Sequence, residues 1–383
     1  MIQSIEIKNF KSIKQKFFQL RNLNVLLGLN GMGKSSFIQS LLALKQSQNL
    51  IRGRLDLNNN RFVNLGSTKD VLYQYSKQQD LAFDLKFSSG NDLNFQFKYE
   101  PEADYFIAKA LDTNTYGELD RKKFEETLFT ENFQYLNANR IEPTSVNPKN
   151  FSSVVNSKNI GNHGEFVAHF IEVFNGEDVQ FDNLLHKDSI SKDAVTGKEI
   201  VNKTLINQIN LWMGEISPNV NVRTTSISSD YVLLEYVYKQ PNFGNTNRYK
   251  PENVGFGITY GLPVVVSLLA AREGELIIIE NPESHIHPRG QAELGKLIAK
   301  VAKNGVQVIV ETHSDHILNG IRVAVKEDEI DKEKAVLFYF ERIIEADEQY
   351  SKITNIEINS RGELSSYPLN MLDEWNNQLF NLM

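Results

Sequence analysis

The segment Gly28-Leu29-Asn30-Gly31-Met32-Gly33-Lys34-Ser35 fits the pattern G-x-x-x-x-G-K-[ST] at every fixed position. Residues of these types at this spacing are suited to holding a triphosphate. The glycines let the backbone curl so that successive N–H groups point inward, and the helix that follows adds the partial positive charge of its N-terminus. Lys34 is expected to neutralise the β- and γ-phosphates, and Ser35 to offer its hydroxyl to Mg²⁺. The expected phosphate-binding set is Asn30, Gly31, Met32, Gly33, Lys34, Ser35 and Ser36. Such a cradle needs an acidic group at the end of a neighbouring strand to complete the cation's shell. Leu276-Ile277-Ile278-Ile279 is an apolar run that stops on Glu280, and Glu283 follows after Asn281 and Pro282. Ser35 and Glu280 are therefore the expected metal ligands, with ATP and Mg²⁺ the expected ligand and cofactor.

Histidines cluster after two apolar runs, and they open a rival reading. His285 and His287 follow the first run, and His313 and His316 follow Val308-Ile309-Val310. With Glu283 they have the residue types of a metal-hydrolase site. That reading leaves Gly28–Ser35 without a purpose.

The elements that must position these groups are legible from periodicity. Asn24-Val25-Leu26-Leu27 is a short buried run ending at Gly28, and Phe37, Ile38, Leu41, Leu42 and Leu44 then recur near a 3.6-residue period. Between about 80 and 112 the pattern changes to alternation. Leu81, Phe83, Leu85 and Phe87 share one face, Ser88-Ser89-Gly90-Asn91-Asp92 turns the chain, and Leu93, Phe95, Phe97 and Tyr99 resume the pattern. This predicts a half-exposed antiparallel hairpin. A helix over 121–130 and a strand over 135–138 are expected next. The stretch 144–203 is polar and reads as an insertion with one amphipathic helix at 165–174. From 253 onward helices at 259–272, 289–303 and 315–326 alternate with strands at 276–279, 306–310 and 336–340, which predicts a mainly parallel sheet covered on both faces. The predicted fold is α/β, with a P-loop sheet, an antiparallel β subdomain and an inserted polar segment. The expected division is 1–143, 144–249 and 250–383.

Composition narrows the class. In 383 residues, 41 Lys and Arg against 48 Asp and Glu give a net charge of −7, which argues against a surface that is wholly a nucleic-acid footprint. Lys8, Lys11, Lys14 and Lys16 form the densest basic run near a terminus. The absence of cysteine excludes disulfides and thiolate metal sites. No signal-peptide pattern and no run of eighteen apolar residues is present, so a soluble, cytoplasmic protein without a membrane partner is expected.

Several segments together resemble the ABC-type ATPase heads of the SMC, RecF and OLD-nuclease group, and within it a bacterial subgroup of short heads without coiled-coil arms. Asn9-Phe10-Lys11-Ser12 is similar to the motif after their first strand. Ile279-Glu280-Asn281-Pro282-Glu283-Ser284-His285-Ile286-His287-Pro288 is similar to their Walker B and D-loop run, Glu311-Thr312-His313-Ser314-Asp315-His316 to their switch-histidine segment, and Gly362-Glu363-Leu364-Ser365-Ser366-Tyr367-Pro368 to the tail of the short subgroup. The resemblance implies that Lys11 lies at the nucleotide and that His313 contacts the γ-phosphate. It also implies a signature motif capping the nucleotide of a second subunit, and Ile258-Thr259-Tyr260-Gly261 is the candidate, with Thr259 capping its helix and Gly261 beside it. The family's Walker B ends Asp then Glu, whereas this chain has Glu280 then Asn281. Asn cannot accept a proton, so either Glu283 takes the role of base, or hydrolysis is slow, the ATP-bound dimer is long-lived and ATP acts as a clamp; an active but slow ATPase is expected. Gln46 and Arg140 both stand near the place of the family's glutamine that links Mg²⁺ to lobe movement. The resemblance further implies a homodimer around ATP, a separate effector protein such as a nuclease, DNA as the sensed molecule, and a role in phage defence or genome maintenance. A non-hydrolysing assembly scaffold is the alternative.

Overall fold

The computed structural model describes residues 1–109, 119–192, 197–240, 244–368, 371 and 374–382. The chain divides into two compact units. Met1–Phe133, Ala335–Ile358 and Leu364–Met383 make the first, and Gln134–Lys334 with Asn359–Glu363 make the second.

The first unit begins with strands β1 (Ile2–Phe10), β2 (Ile13–Gln19) and β3 (Leu23–Leu27), then helix α1 (Lys34–Gln46). Strand β4 (Arg54–Asp56), the short helix α2 (Thr68–Val71), and strands β5 (Asp80–Phe87), β6 (Asp92–Lys98) and β7 (Tyr105–Ala108) follow. An antiparallel sheet runs in the order β2-β1-β5-β6-β7-β4. Its β5–β6 hairpin is the one the alternation predicts: Leu81, Phe83, Leu85, Leu93, Phe95 and Phe97 are buried, and Leu85 pairs with Leu93. The part of the predicted alternation at 110–112 lies outside the described residues. The helix expected at 121–130 is a correction. Only a 3-10 turn forms, Arg121–Phe124, with Asp120 accepting from the Lys122 N–H. The turn buries none of its residues, so no apolar stripe carries a helix onward.

The second unit takes up the chain within β8 (Phe133–Leu136), two residues earlier than the expected strand. Asn137 stops it there, its side chain accepting from the Asn139 N–H at 2.8 Å. Next come β9 (Val146–Pro148), α3 (Val167–Phe174), β10 (Ile190–Lys192), β11 (Glu199–Val201), α4 (Leu205–Ile216), β12 (Val220–Ser226), β13 (Tyr231–Gln240) and β14 (Gly244–Asn245). Then α5 (Phe256–Leu269), β15 (Leu276–Glu280), α6 (Pro288–Lys303), β16 (Gln307–Glu311) and α7 (Asp315–Lys326) restore the helix–strand alternation. β15 and β16 pair in parallel, Glu280 opposite Glu311. Their apolar residues are fully buried, as continuous hydrophobic strands between helices require.

The chain returns to the first unit as β17 (Ala335–Ile344) and β18 (Gln349–Ile356) and ends in α8 (Glu374–Leu382). β17 lies parallel to β3 and antiparallel to β18. Phe18, on β2, meets Phe37 of α1 at 4.4 Å between ring centroids and Phe338 of β17 at 5.3 Å. Aromatic pairs of this kind fix the seat of α1 and so the aim of its N-terminus. The fold is a mixed α/β one, with parallel strand pairs and antiparallel sheets.

Candidate functional site

In the first unit the glycine loop lies between β3, buried at every position, and α1, which starts at Lys34 with Gly33 as its N-cap. Gly33 has φ +107°, and a Cβ there would come within 2.3 Å of the Ser351 hydroxyl and 2.6 Å of the Ser12 hydroxyl. Only glycine fits that corner. Lys34 is buried, its Nζ donating to the carbonyls of Gly28 at 2.8 Å and Leu29 at 3.0 Å. These bonds fold the ammonium back over its own loop, where an anion held by the loop would meet it. Ser35 is exposed in the first helical turn, Asn30 and Gly31 are exposed, and Met32 is half-buried. Ser36 Oγ is 3.4 Å from Ser12 Oγ. Lys11, in left-handed backbone at φ +51°, donates to Gln39 of α1 at 2.7 Å, and burial holds its ammonium below the usual lysine range.

The rim of the loop is fixed by residues that sequence reading missed. Ser351 donates from Oγ to the Met32 carbonyl at 2.6 Å, and its N–H donates to the Ser12 carbonyl at 2.8 Å. Arg342 donates to the Gly31 carbonyl at 2.7 Å. Both stand on the β17–β18 hairpin, more than three hundred residues along the chain, and no spacing or periodicity signals such a partner. A cavity of about 560 Å³ opens beside the loop, lined among others by Lys11, Gly31, Tyr73, Arg342 and Tyr350.

The second unit holds the acidic set. Glu280, at the end of β15, accepts from the Tyr135 hydroxyl at 3.0 Å and from the Ala138 N–H at 3.3 Å. Glu283 accepts from the Thr312 hydroxyl and the His313 N–H, each at 2.8 Å. Burial raises both carboxyls above the ordinary glutamate range, against the pull of these donors and of the Arg140 charge. Asn281 lies between them in left-handed backbone at φ +44°, its N–H donating to the Glu311 carbonyl at 2.8 Å. The sharp turn it makes, with Pro282 after it, brings Glu283 to the end of β16 and ties it to the segment that carries His313. The His313 side chain itself is exposed.

Two expectations are corrected here. The helix expected to start at Thr259 starts at Phe256, with Gly255 at its N-cap, so Thr259 does not cap it. Thr259 is buried in the first turn, and Gly261 is buried against Ile216 and Ile286. The N-terminus consists instead of exposed Gly255 and Phe256 and half-buried Gly257. A Cβ on Gly257 would lie 2.4 Å from the His285 carbonyl, so this helix end rests directly on the backbone after Glu283. The signal for it in the sequence is the spacing Gly255-Phe256-Gly257. The rival metal-hydrolase reading also fails. Among the described residues no group of three or more histidine or acidic side chains is placed to hold a metal ion. His287 serves as the N-cap of α6, its Nδ1 accepting from the Arg289 N–H.

Of the two candidates for the linking glutamine's place, Gln46 is spent on structure: it donates to the Asp56 carbonyl and accepts from the Val63 N–H, each at 3.0 Å. Arg140 lies in the second unit, where it donates to the Glu280 carbonyl at 2.9 Å.

A family model described as "AAA domain, putative AbiEii toxin, Type IV TA system" matches residues 23–319. A second, described as "Protein of unknown function (DUF3696)", matches residues 330–382. No curated protein matches the chain. Among solved structures the chain is similar to an SMC head bound to the C-terminal winged-helix domain of ScpA. That pair shares 13% identity over 93% of this chain and 98% of the other, with a TM-score of 0.55, which shows the shared fold. It also matches an Smc head with an extended coiled coil, bound to the C-terminal domain of ScpA, from Pyrococcus furiosus, at 12% identity over 100% of this chain and 99% of that one, with a TM-score of 0.49. No helix among the described residues is long and apolar enough to cross a membrane.

Proposed function

The chain belongs to the AAA-domain family matched over residues 23–319, and from that premise we propose that it is an ATPase of the ABC type that hydrolyses Mg-ATP slowly and signals its nucleotide state to a partner. The observation that carries the reading is the glycine loop of the first unit, with a left-handed N-cap and a buried lysine folded over its carbonyls. In the proposed cycle the amides of Asn30–Ser36 and the Lys34 ammonium hold the β- and γ-phosphates, and Lys11 lies beside them. Ser35 and Glu280 would hold Mg²⁺; a hydroxyl and a carboxylate are the hard oxygen donors that this ion takes. When bound, the ion screens the negative charge of the phosphates. Glu283 takes a proton from water as the water oxygen bonds to the γ-phosphorus, the bond from that phosphorus to the β,γ-bridging oxygen breaks, and ADP and phosphate leave. The raised proton affinity of Glu283 suits a base. His313 contacts the γ-phosphate.

Dimerisation belongs to the same proposal. The helix end at Gly255–Gly257 offers its first-turn amides and a positive dipole end to the γ-phosphate of a second copy's nucleotide. ATP then holds two copies together, and hydrolysis removes the contact that favours the closed pair. The output passes to a separate effector, a nuclease being the expected kind, with DNA as the sensed molecule and phage defence or genome maintenance as the setting. The toxin–antitoxin wording of the family description is in keeping with a defence role.

The alternative, an ATP-dependent scaffold without turnover, has one observation in its favour: Asn281 stands where a proton acceptor is expected and cannot act as one. Phosphate release and nucleotide binding measured on the Lys34→Ala, Glu280→Gln and Glu283→Gln proteins decide between these readings. Binding lost in Lys34→Ala, with turnover lost in both glutamine variants, is the expected result. Binding without any phosphate release from the unaltered chain, even with DNA and a partner present, establishes the scaffold.

A further inference from the structure

Arg140 is the most deeply buried cation near the acidic set, 3% exposed, and neither the phosphate cradle nor the proton transfer uses it. Its guanidinium is a two-armed clasp. One terminal nitrogen donates to the Asn137 carbonyl at the end of β8, and the other donates at 2.9 Å to the Glu280 carbonyl at the end of β15. The C=O of Glu280 and the N–H of Asn281 belong to one peptide group, and that N–H is bound on its far side by the Glu311 carbonyl at 2.8 Å. The peptide is therefore gripped from both edges. Rotating it would break a charge-assisted bond and a buried backbone bond together. This grip fixes the left-handed turn at Asn281, and with it the direction in which Glu283 leaves the strand.

Charge points the same way. Glu280 and Glu283 are the carboxylates whose fields Arg140 feels most strongly. Both carboxylates are half-buried beside it. Two buried polar atoms of the cluster remain without a hydrogen-bond partner, the Nε of Arg140 and the Oδ1 of Asn281. One is a donor and the other an acceptor, so the turn and the clasp keep complementary capacity in reserve for a ligand-bound arrangement.

We propose that Arg140 is the positioning residue of the acidic set: it pins the Glu280–Asn281 peptide, which fixes where Glu280 and the turn leading to Glu283 point, and so sets the affinity for the divalent cation. The inference rests on the reading of Glu280 as a cation ligand. The test compares the unaltered full-length chain with Arg140→Met, Arg140→Lys and Glu280→Gln. Mn²⁺ binding in the presence of ATP is followed by electron paramagnetic resonance, ATP binding is measured in EDTA, and kcat and KM are measured at saturating Mg²⁺. Arg140→Met is expected to weaken Mn²⁺ binding about tenfold or more, as loss of a supporting group beside a metal ligand does, and to lower kcat. ATP binding in EDTA and KM at saturating Mg²⁺ stay unchanged. Arg140→Lys is expected to leave both Mn²⁺ affinity and kcat below those of the parent, because an ammonium cannot span both carbonyls.

Unaltered Mn²⁺ affinity in Arg140→Met, with weakened affinity in Glu280→Gln, overturns the role given to Arg140 and leaves the ATPase reading standing. Unaltered affinity in Glu280→Gln removes the premise and overturns both. Should Arg140→Met fail to fold, Arg140→Lys decides: wild-type kcat in that variant overturns the clasp.

Discussion

The base proposed at Glu283 would draw its strength from its neighbours. A glutamate in water is a weak base near neutral pH; burial raises its proton affinity, while the Thr312 hydroxyl and the His313 N–H hold its two oxygens in place. Removing one donor without removing the carboxylate separates orientation from basicity. Thr312→Val is expected to lower kcat by about tenfold, the loss of one hydrogen bond to a charged group, with ATP affinity within about twofold of the parent by equilibrium titration. A variant that binds ATP ten times more weakly would show that Thr312 acts on the nucleotide and not on Glu283. Tyr135 stands in the same relation to Glu280, and Tyr135→Phe is expected to raise the Mg²⁺ concentration for half-maximal turnover severalfold. The sequence displayed every one of these side chains. It did not display their pairing, because Tyr135 and Glu280 are joined by a hydrogen bond across 145 positions.

Helices α1 and α5 show how an element transmits its packing to a functional end. α5 begins on a glycine cap and rests Gly257 on the His285 carbonyl, 2.4 Å from where a Cβ would be. Gly257→Ala must push that backbone away, and it is expected to cost about 1–3 kcal/mol, read as a lowered midpoint in denaturant melts. Nucleotide-dependent self-association should weaken in the same variant. At the far end of α1, Lys45 donates to the Thr130 carbonyl and lies 4.7 Å from the centre of the Phe133 ring. Burial pulls its ammonium down to about 8 from an ordinary 10.5. The folded chain therefore binds fewer protons than the unfolded chain between those values. Charging Lys45 opposes folding fully below pH 8, and that opposition is relieved as pH rises toward 10.5. The contribution of this residue to stability should grow with pH across that window, and Lys45→Met should flatten the pH dependence of the melting temperature there. A steeper dependence in Lys45→Met would contradict the assignment.

At the scale of the molecule, the phosphate cradle belongs to one compact unit and the acidic set to the other. Proposed turnover needs both sets, so variants in either unit should give the same loss of phosphate release while only those in the cradle lose ATP binding. Proposed dimerisation gives a further expectation. With Mg-ATP and slowed hydrolysis, as in Glu283→Gln, the chain should sediment at twice its mass of 43.7 kDa, and Lys34→Ala should return it to the monomer. A Glu283→Gln protein that binds ATP and stays monomeric across micromolar concentrations would end the clamp mechanism.

The sequence by itself determined the features that depend on local backbone chemistry and periodicity. Glycines and a lysine at fixed spacing make a phosphate loop wherever a strand precedes and a helix follows, and alternating Phe and Leu make the β5–β6 hairpin. The mixed α/β fold and the ends of β15 and β16 were legible for the same reason, since buried parallel strands are unbroken apolar runs. Helix starts were less legible, because whether Gly255 or Thr259 begins α5 depends on which of them tertiary packing buries, and it buries Thr259. Only the tertiary structure decided that Ser351 and Arg342 would grip the rim of the loop, that His287 would cap a helix instead of binding metal, and that Arg140 would clasp the peptide between Glu280 and Asn281. Those pairings join residues far apart in the chain, and no short-range pattern encodes a hydrogen bond that exists only once two distant strand ends have been brought side by side.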